Sequence, residues 1–365
     1  MIPAKLKKYL TGRRVAVTGA NGFIGKRLVR HLVDAGADIT VLVRSKPVGT
    51  DQYGAAVKTV IGGLQNAGAL AECLERQDVL FNLAYDTRAS GAANLTAFDT
   101  LLTAARSANV GRIVHMSSIV VYDAWPDADI DESATINRPG GGPYRQTKIA
   151  MEQRLMAGNV PAAILQPTIV YGPGSQLWTD KLARALTRGA IVLPMPEGLC
   201  NGVYVDDVVQ AALCAATVQD LGQERFVISG DRPFLWSDLL KGYAQITGRG
   251  QIRHEPFADL AARLGPEPDP DGGEDTPSVA ARVSALARRI LGHERFERIL
   301  LAIGQRLAKD GDMYPDHHLL AEFSNRGTCH IHNAVKRLGY SPTYDLAKGL
   351  DATAGHLQKY RGSAG

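Results

Sequence analysis

Cysteine is scarce in this chain. Cys73, Cys200, Cys214 and Cys329 are scattered without paired spacing, which argues against a disulfide framework and fits reduced thiols in a cytosolic enzyme. No uninterrupted apolar run reaches the about 18 residues that a membrane span needs. No apolar stretch follows Lys5, Lys7, Lys8, Arg13 and Arg14, so the basic start does not read as a signal peptide. Charge of one sign is also weak. A net charge of +4 and a pI near 8.8, without basic residues interleaved with aromatics, argue against nucleic acid as a partner. No internal repeat is visible. What remains is a cytoplasmic, globular chain of 365 residues, 45% hydrophobic, long enough to bury a substantial core.

Glycine, by contrast, is plentiful, and its first cluster is informative. Val15-Ala16-Val17 reads as a short buried strand, followed by Thr18-Gly19-Ala20-Asn21-Gly22-Phe23-Ile24-Gly25 and an amphipathic run over 26–35, closed by Gly36. In this strand, turn and helix, Gly19 permits the tight turn and Gly22 lets the backbone approach a pyrophosphate. Gly25 allows close helix packing, while the N–H groups of the helix start face the anion. The spacing is Gly-x-x-Gly-x-x-Gly, and a glycine loop without a ligand is the alternative. The next strand, 39–43, ends in Arg44-Ser45-Lys46, with no acidic residue to grip a ribose 2′-hydroxyl. A guanidinium there suits a 2′-phosphate and favours NADP over NAD, unless Arg44 and Lys46 are ordinary solvated charges.

Further apolar segments recur at 57–61, 79–84, 112–116, 162–166 and 226–229, with helical stretches between them. This alternation predicts an α/β fold, a doubly wound parallel-sheet Rossmann domain whose ligands sit at the carboxyl ends of the strands. Asn82-Leu83-Ala84 and Ser117-Ser118 fall at two such ends. Tyr144 and Lys148 then stand four apart in PYRQTK, about one helical turn, so phenol and ammonium share a face and the cation favours the phenolate. A tyrosine near pKa 10 needs such help to exchange protons at neutral pH.

The ordered set TGANGFIG, NLA, HMSSIVVY, YRQTK, QPTIVYGPG and VYVDDVV resembles the extended short-chain dehydrogenase/reductase family, its epimerase/dehydratase-like branch. These motifs span most of 11–215, and 334–342 is similar to the family's closing helix and turn. The resemblance implies that Tyr144 is the general acid or base. It implies that Lys148 lowers the tyrosine's pKa and binds the nicotinamide ribose, and that Ser118, rather than Ser117, holds the substrate oxygen. Asn94 would support a lysine-water proton relay, or else be only a helix N-cap. Cofactor contacts are expected from Gly19, Asn21, Gly22, Phe23, Ile24, Gly25, Arg44, Leu64, Leu83, Ala84, Tyr144, Lys148, Pro167, Ile169 and Val170. From motif neighbourhood, substrate contacts are expected from Tyr85, Asp86, Val120, Tyr122, Thr168, Tyr171, Trp178 and Tyr204, although aromatics there could equally be core.

Departures from the family narrow the substrate. Gly62-Gly63-Leu64 lacks the aspartate commonly found near the adenine. Nucleotide-sugar members usually carry an asparagine where Ile169 stands and tend to have an arginine at Gln166. They also have a longer segment than 85–93. These differences favour a small carbonyl or alcohol substrate over a sugar diphosphate. The expected reaction is hydride transfer coupled to proton transfer by tyrosine. An epimerase or dehydratase with recycled cofactor and a non-catalytic NAD(P)-binding regulator are the alternatives.

The expected organisation is a Rossmann domain over 1–170 and 201–229 with a substrate lobe from 171–200 and 230–365. Within the lobe, 255–327 is an unusual insert. Its acidic GPEPDPDGGEDTP reads as a mobile or disordered loop. Two amphipathic stretches follow, with Leu286, Ile290, Phe296, Ile299, Leu300, Ile303 and Leu307 as apolar faces. They would pack on the lobe, cover a bulky substrate, or form a dimer or membrane-surface contact. The resemblance points to a homodimer, and no metal is expected, because Cys329-His330-Ile331-His332 is similar to the family's last short strand.

Overall fold

The computed structural model describes residues 3–45, 56–266 and 311–361. Lys46 and the apolar positions expected at 286–307 lie outside the described residues.

The chain opens with α1 (Ala4–Leu10), β1 (Arg14–Thr18), α2 (Phe23–Ala35), β2 (Asp38–Val43) and β3 (Val57–Ile61). It continues through α3 (Ala67–Leu74), β4 (Val79–Asn82), α4 (Gly91–Ser107), β5 (Ile113–Met116), α5 (Gly142–Met156) and β6 (Ala162–Pro167). Local chemistry explains several ends. Asn66 caps α3 by accepting from the Ala69 N–H, Ser90 caps α4 through Ala93, and Gly36 ends α2 at φ 74°. Later come β7 (Ile169–Tyr171), α6 (Leu182–Leu186), β8 (Ala190–Met195), β9 (Leu199–Cys200), β10 (Gly202–Tyr204), α7 (Val205–Thr217) and β11 (Gln223–Ile228).

Seven strands form one parallel sheet in the order β11-β6-β5-β4-β1-β2-β3. From β1 the chain builds outward through β2 and β3, then returns to the other side of β1 with β4. That reversal between β1 and β4 opens a crevice at the strands' carboxyl ends. Strands β1, β4, β5 and β6 are buried almost throughout, as a parallel sheet covered on both faces requires. Alternation sorts their side chains. Val15, Val17 and Phe81 face Leu28 and Leu32 of α2 and Val208 of α7, whereas Ala16, Leu80 and Ile113 join Leu70 of α3, Leu101 of α4 and Leu155 of α5.

The remaining elements are β12 (Phe234–Leu235), α8 (Trp236–Thr247), β13 (Gln251–Pro256), α9 (Phe257–Leu264), α10 (His317–Phe323) and α11 (Leu346–Leu357). They add three small pairings: β7 with β10, β9 with β12, and β8 with β13. Trp236, Tyr243 and Phe323 fill a second core there. The short strand expected near 328–332 reduces to one bridge between Ile130 and Cys329. All four cysteines are free and buried. No helix among the described residues is long and apolar enough to cross a membrane.

Candidate active site

The glycine turn lies at the switch point. A Cβ on Gly19, whose φ is +71°, would stand 2.7 Å from the Leu83 carbonyl carbon, and one on Gly25 would strike the Gly19 oxygen. The fold itself therefore demands glycine at both positions. Gly22 meets only the Gly19 oxygen, at 3.1 Å, and caps α2 without any side-chain hydrogen bond. The N-cap residue therefore supplies no side-chain acceptor to the backbone N–H groups of the first turn.

Across the crevice, Ser118 begins a 3-10 turn over Ile119–Val121 and accepts from the Val120 N–H at 3.4 Å. Its hydroxyl lies on the Tyr144 side of the crevice and favours the ionised form of that phenol. Tyr144 sits in the first turn of α5 with 42% of its surface exposed, and Tyr85 meets its ring edge-on at 5.0 Å. Lys148, one turn deeper, is 4% exposed and donates to the Met116 carbonyl at 2.7 Å. Its Nζ lies 5.0 Å from the Tyr85 ring centre and 5.8 Å from that of Tyr144. Burial lowers the Lys148 pKa to about 8, against the pull of Glu152. Burial moves the Tyr144 pKa upward, with the Ser118 hydroxyl opposing, and its exposed edge limits that rise. In the protein without cofactor, burial outweighs the depression of Tyr144 expected from Lys148, because Lys148, at about 8, loses its proton before the phenol does.

A serine at the strand end, a tyrosine in the first turn of α5, a buried lysine behind it and a glycine turn opposite form one constellation. Residues 15–229 match the family described as NAD dependent epimerase/dehydratase. The chain belongs to that family. It is an NAD(P)-dependent enzyme of the extended short-chain dehydrogenase/reductase type. The chain is 30% identical over 69% of its length to a 4-hydroxy-2-methyl-3-oxo-4-farnesyl-3,4-dihydroquinoline-1-oxide ketoreductase of Stigmatella aurantiaca, covering 79% of that protein. It is 27% identical to a 2-alkyl-3-oxoalkanoate reductase of Stenotrophomonas maltophilia, over 69% of this chain and 81% of that one. Its fold is similar to UDP-glucose 4-epimerase of Thermotoga maritima solved with UDP-glucose, at TM-score 0.65 and 18% identity, covering 95% and 99% of the two chains.

The other expected positions of this epimerase/dehydratase-family chain divide into rim and core. Arg44, 63% exposed at its side chain, pairs with Asp86 at 2.6 Å, and Arg88 reaches the same carboxylate at 3.2 Å. Asp86, expected among the substrate contacts, thus pairs with Arg44 and Arg88 in the free protein. Asn94 is not the N-cap of α4, since Ser90 holds that place; its side chain accepts from Asp86 N–H and donates to the Asp86 and Ser90 carbonyls. Tyr122, Tyr171 and Tyr204 are at most 2% exposed. Tyr122 donates to Gln166 and the other two pack edge to face. Thr168 is bonded to Ser229, and Ile169 is buried in the second core. Val120 and Trp178 remain partly exposed, as do Leu64, Leu83, Ala84 and Val170, while Pro167 is buried.

Sequence reasoning missed the polar layer beneath this site in the family chain. Glu152 is 1% exposed and accepts from Ser117 Oγ at 2.5 Å, Gln166 Nε2 at 3.0 Å and Arg225 Nε at 2.7 Å. The one available signal was its place four residues beyond Lys148, on the same helix face. Arg145 was also missed. Its buried guanidinium holds the Val120 and Val121 carbonyls and pairs with Asp123, which fixes the turn carrying Ser118.

Proposed function

We propose that the protein is an NADP-dependent reductase that interconverts a ketone or aldehyde with an alcohol. The buried Lys148, with its Nζ 5.8 Å from the Tyr144 ring centre, and Ser118 at the start of the neighbouring turn carry this reading. The reductase names of the two relatives support it. The open N-terminus of α2 fits a dinucleotide pyrophosphate, held by Gly19, Asn21, Gly22, Phe23, Ile24 and Gly25. Arg44 would take the 2′-phosphate, and Leu64, Leu83, Ala84, Pro167, Ile169 and Val170 would flank the rest. When bound, the nicotinamide supplies or accepts the hydride.

Ser118 orients the substrate oxygen, and Tyr144 gives it a proton in reduction or takes one in oxidation. Lys148, as the ammonium, stabilises the negative charge that develops on the phenol oxygen. Reduction should therefore weaken as pH rises through about 8, where Lys148 loses its proton. Tyr85, Val120 and Trp178 are the remaining substrate contacts in this reading. Gln166 is engaged by Glu152 and Tyr122, and the buried, apolar Ile169 offers no hydrogen bond to a diphosphate. Both favour a substrate without one.

The test is NADPH oxidation followed at 340 nm across 3-oxo esters and cyclic ketones. Tyr144→Phe should lose about 10²–10⁴-fold in kcat while its NADPH Kd stays unchanged. Wild-type turnover in that variant would sink the mechanism.

A further inference from the structure

Lys148 is a cation nearly removed from water, and such a charge is costly unless compensated. Several groups face it. From β5 come the Met116 carbonyl and His115, whose ring is fully buried and whose pKa is pushed well down by burial and by Lys148, leaving it neutral. From the segment after β4 comes Tyr85, whose ring centre lies 5.0 Å from Lys148 Nζ. From α5 itself come Tyr144 and Glu152. Arg225 of β11 lies beyond Glu152.

Glu152 is the carboxylate that acts on Lys148 among the described residues. It stands one turn along the same helix, and its oxygens are held by a hydroxyl, an amide and a guanidinium from three different segments. An ionised carboxyl can accept all of these bonds. The clamp leaves it no freedom to swing toward Lys148 or away from it.

We propose that Glu152 is a positioning residue for the proton transfer: its clamped carboxylate acts through space to keep Lys148 an ammonium beneath Tyr144. The inference rests on Lys148 serving the reaction proposed above. Removing the carboxylate withdraws the one opposing charge among the described residues, so Lys148 should surrender its proton at lower pH.

The experiment is an NMR titration of the full-length chain with lysines labelled at Cε, the Lys148 signal being assigned by its loss in Lys148→Arg. The wild-type midpoint is expected near 8. Glu152→Gln should lower it by about one unit, whereas Glu152→Asp, which keeps the charge, should hold it within about half a unit. An unmoved midpoint in Glu152→Gln overturns the proposal, and so does a fall in Glu152→Asp as large as that in Glu152→Gln, which would mark packing. If Glu152→Gln does not fold because Arg225 then faces a neutral amide, the double variant E152Q/R225Q removes both charges. It should still give a lowered midpoint, and an unchanged one overturns the proposal. The titration needs no turnover, so the electrostatic coupling and the catalytic reading of Lys148 fail separately: full activity in Lys148→Ala would remove only the second.

Discussion

Two carboxylate–guanidinium pairs border the crevice, and their surroundings separate them. Glu152 and Arg225 lie under the floor with side chains 1% and 25% exposed, whereas Asp86 and Arg44 stand at the rim with 34% and 63% exposed. Distances hardly distinguish them, at 2.7 and 2.6 Å. Solvent does. The floor pair has its carboxylate filled by two further donors and cannot exchange partners without leaving a buried charge. The rim pair can open to water at little cost and admit another anion. The same chemistry thus builds a fixed electrostatic support in one place and an exchangeable contact in the other.

The sharpest way to break this comparison is to delete each carboxylate. Glu152→Ala should cost about 3 kcal/mol in urea unfolding, because Arg225 and the buried Ser117 and Gln166 donors lose their acceptor together. Asp86→Ala should cost less than about 1 kcal/mol. Equal losses would show that exposure does not divide the two pairs.

Next in size is the rim arginine. If Arg44 exchanges Asp86 for a 2′-phosphate, Arg44→Ala should weaken NADPH binding about 10–100-fold, the equivalent of one charge-assisted contact, and leave NADH untouched. Tryptophan or nucleotide fluorescence titration reads both constants. Parallel losses for the two nucleotides would remove the 2′-phosphate from the argument.

How far the sequence announces these features depends on the range of the interaction. Apolar runs locate the strands to within a few residues, as 226–229 against Gln223–Ile228 illustrates, because burial on both faces is written locally. Ser118, Tyr144 and Lys148 are equally legible: strand end and helical turn fix their spacing. Glu152 with Arg225, 73 residues apart, and Arg44 with Asp86, 42 apart, become neighbours only through sheet order, which no local pattern encodes. Motif position alone also cannot tell a pocket tyrosine from a core one. Tyr122, Tyr171 and Tyr204 lie beside the motifs, and the apolar second core with its internal hydrogen bonds takes all three.

Asp86 carries the smallest expected effect and the most diagnostic one. In the free protein its carboxylate holds Arg44 and also engages Arg88, so an entering phosphate must displace it. An exposed pair is worth up to about 1 kcal/mol. Asp86→Asn should therefore tighten NADPH by no more than about fivefold, with the gain shrinking as salt screens both competitors. NADH, lacking the phosphate, should not respond. The reading of Asp86 as a substrate contact makes the opposite demand: KM for the carbonyl substrate would rise while the Kd of NADPH stayed fixed. Asn94 pins the Asp86 backbone through both its N–H and its carbonyl, so Asp86→Asn changes the charge while leaving the loop anchored. The sign of the NADPH response then assigns Asp86 to the cofactor or to the substrate.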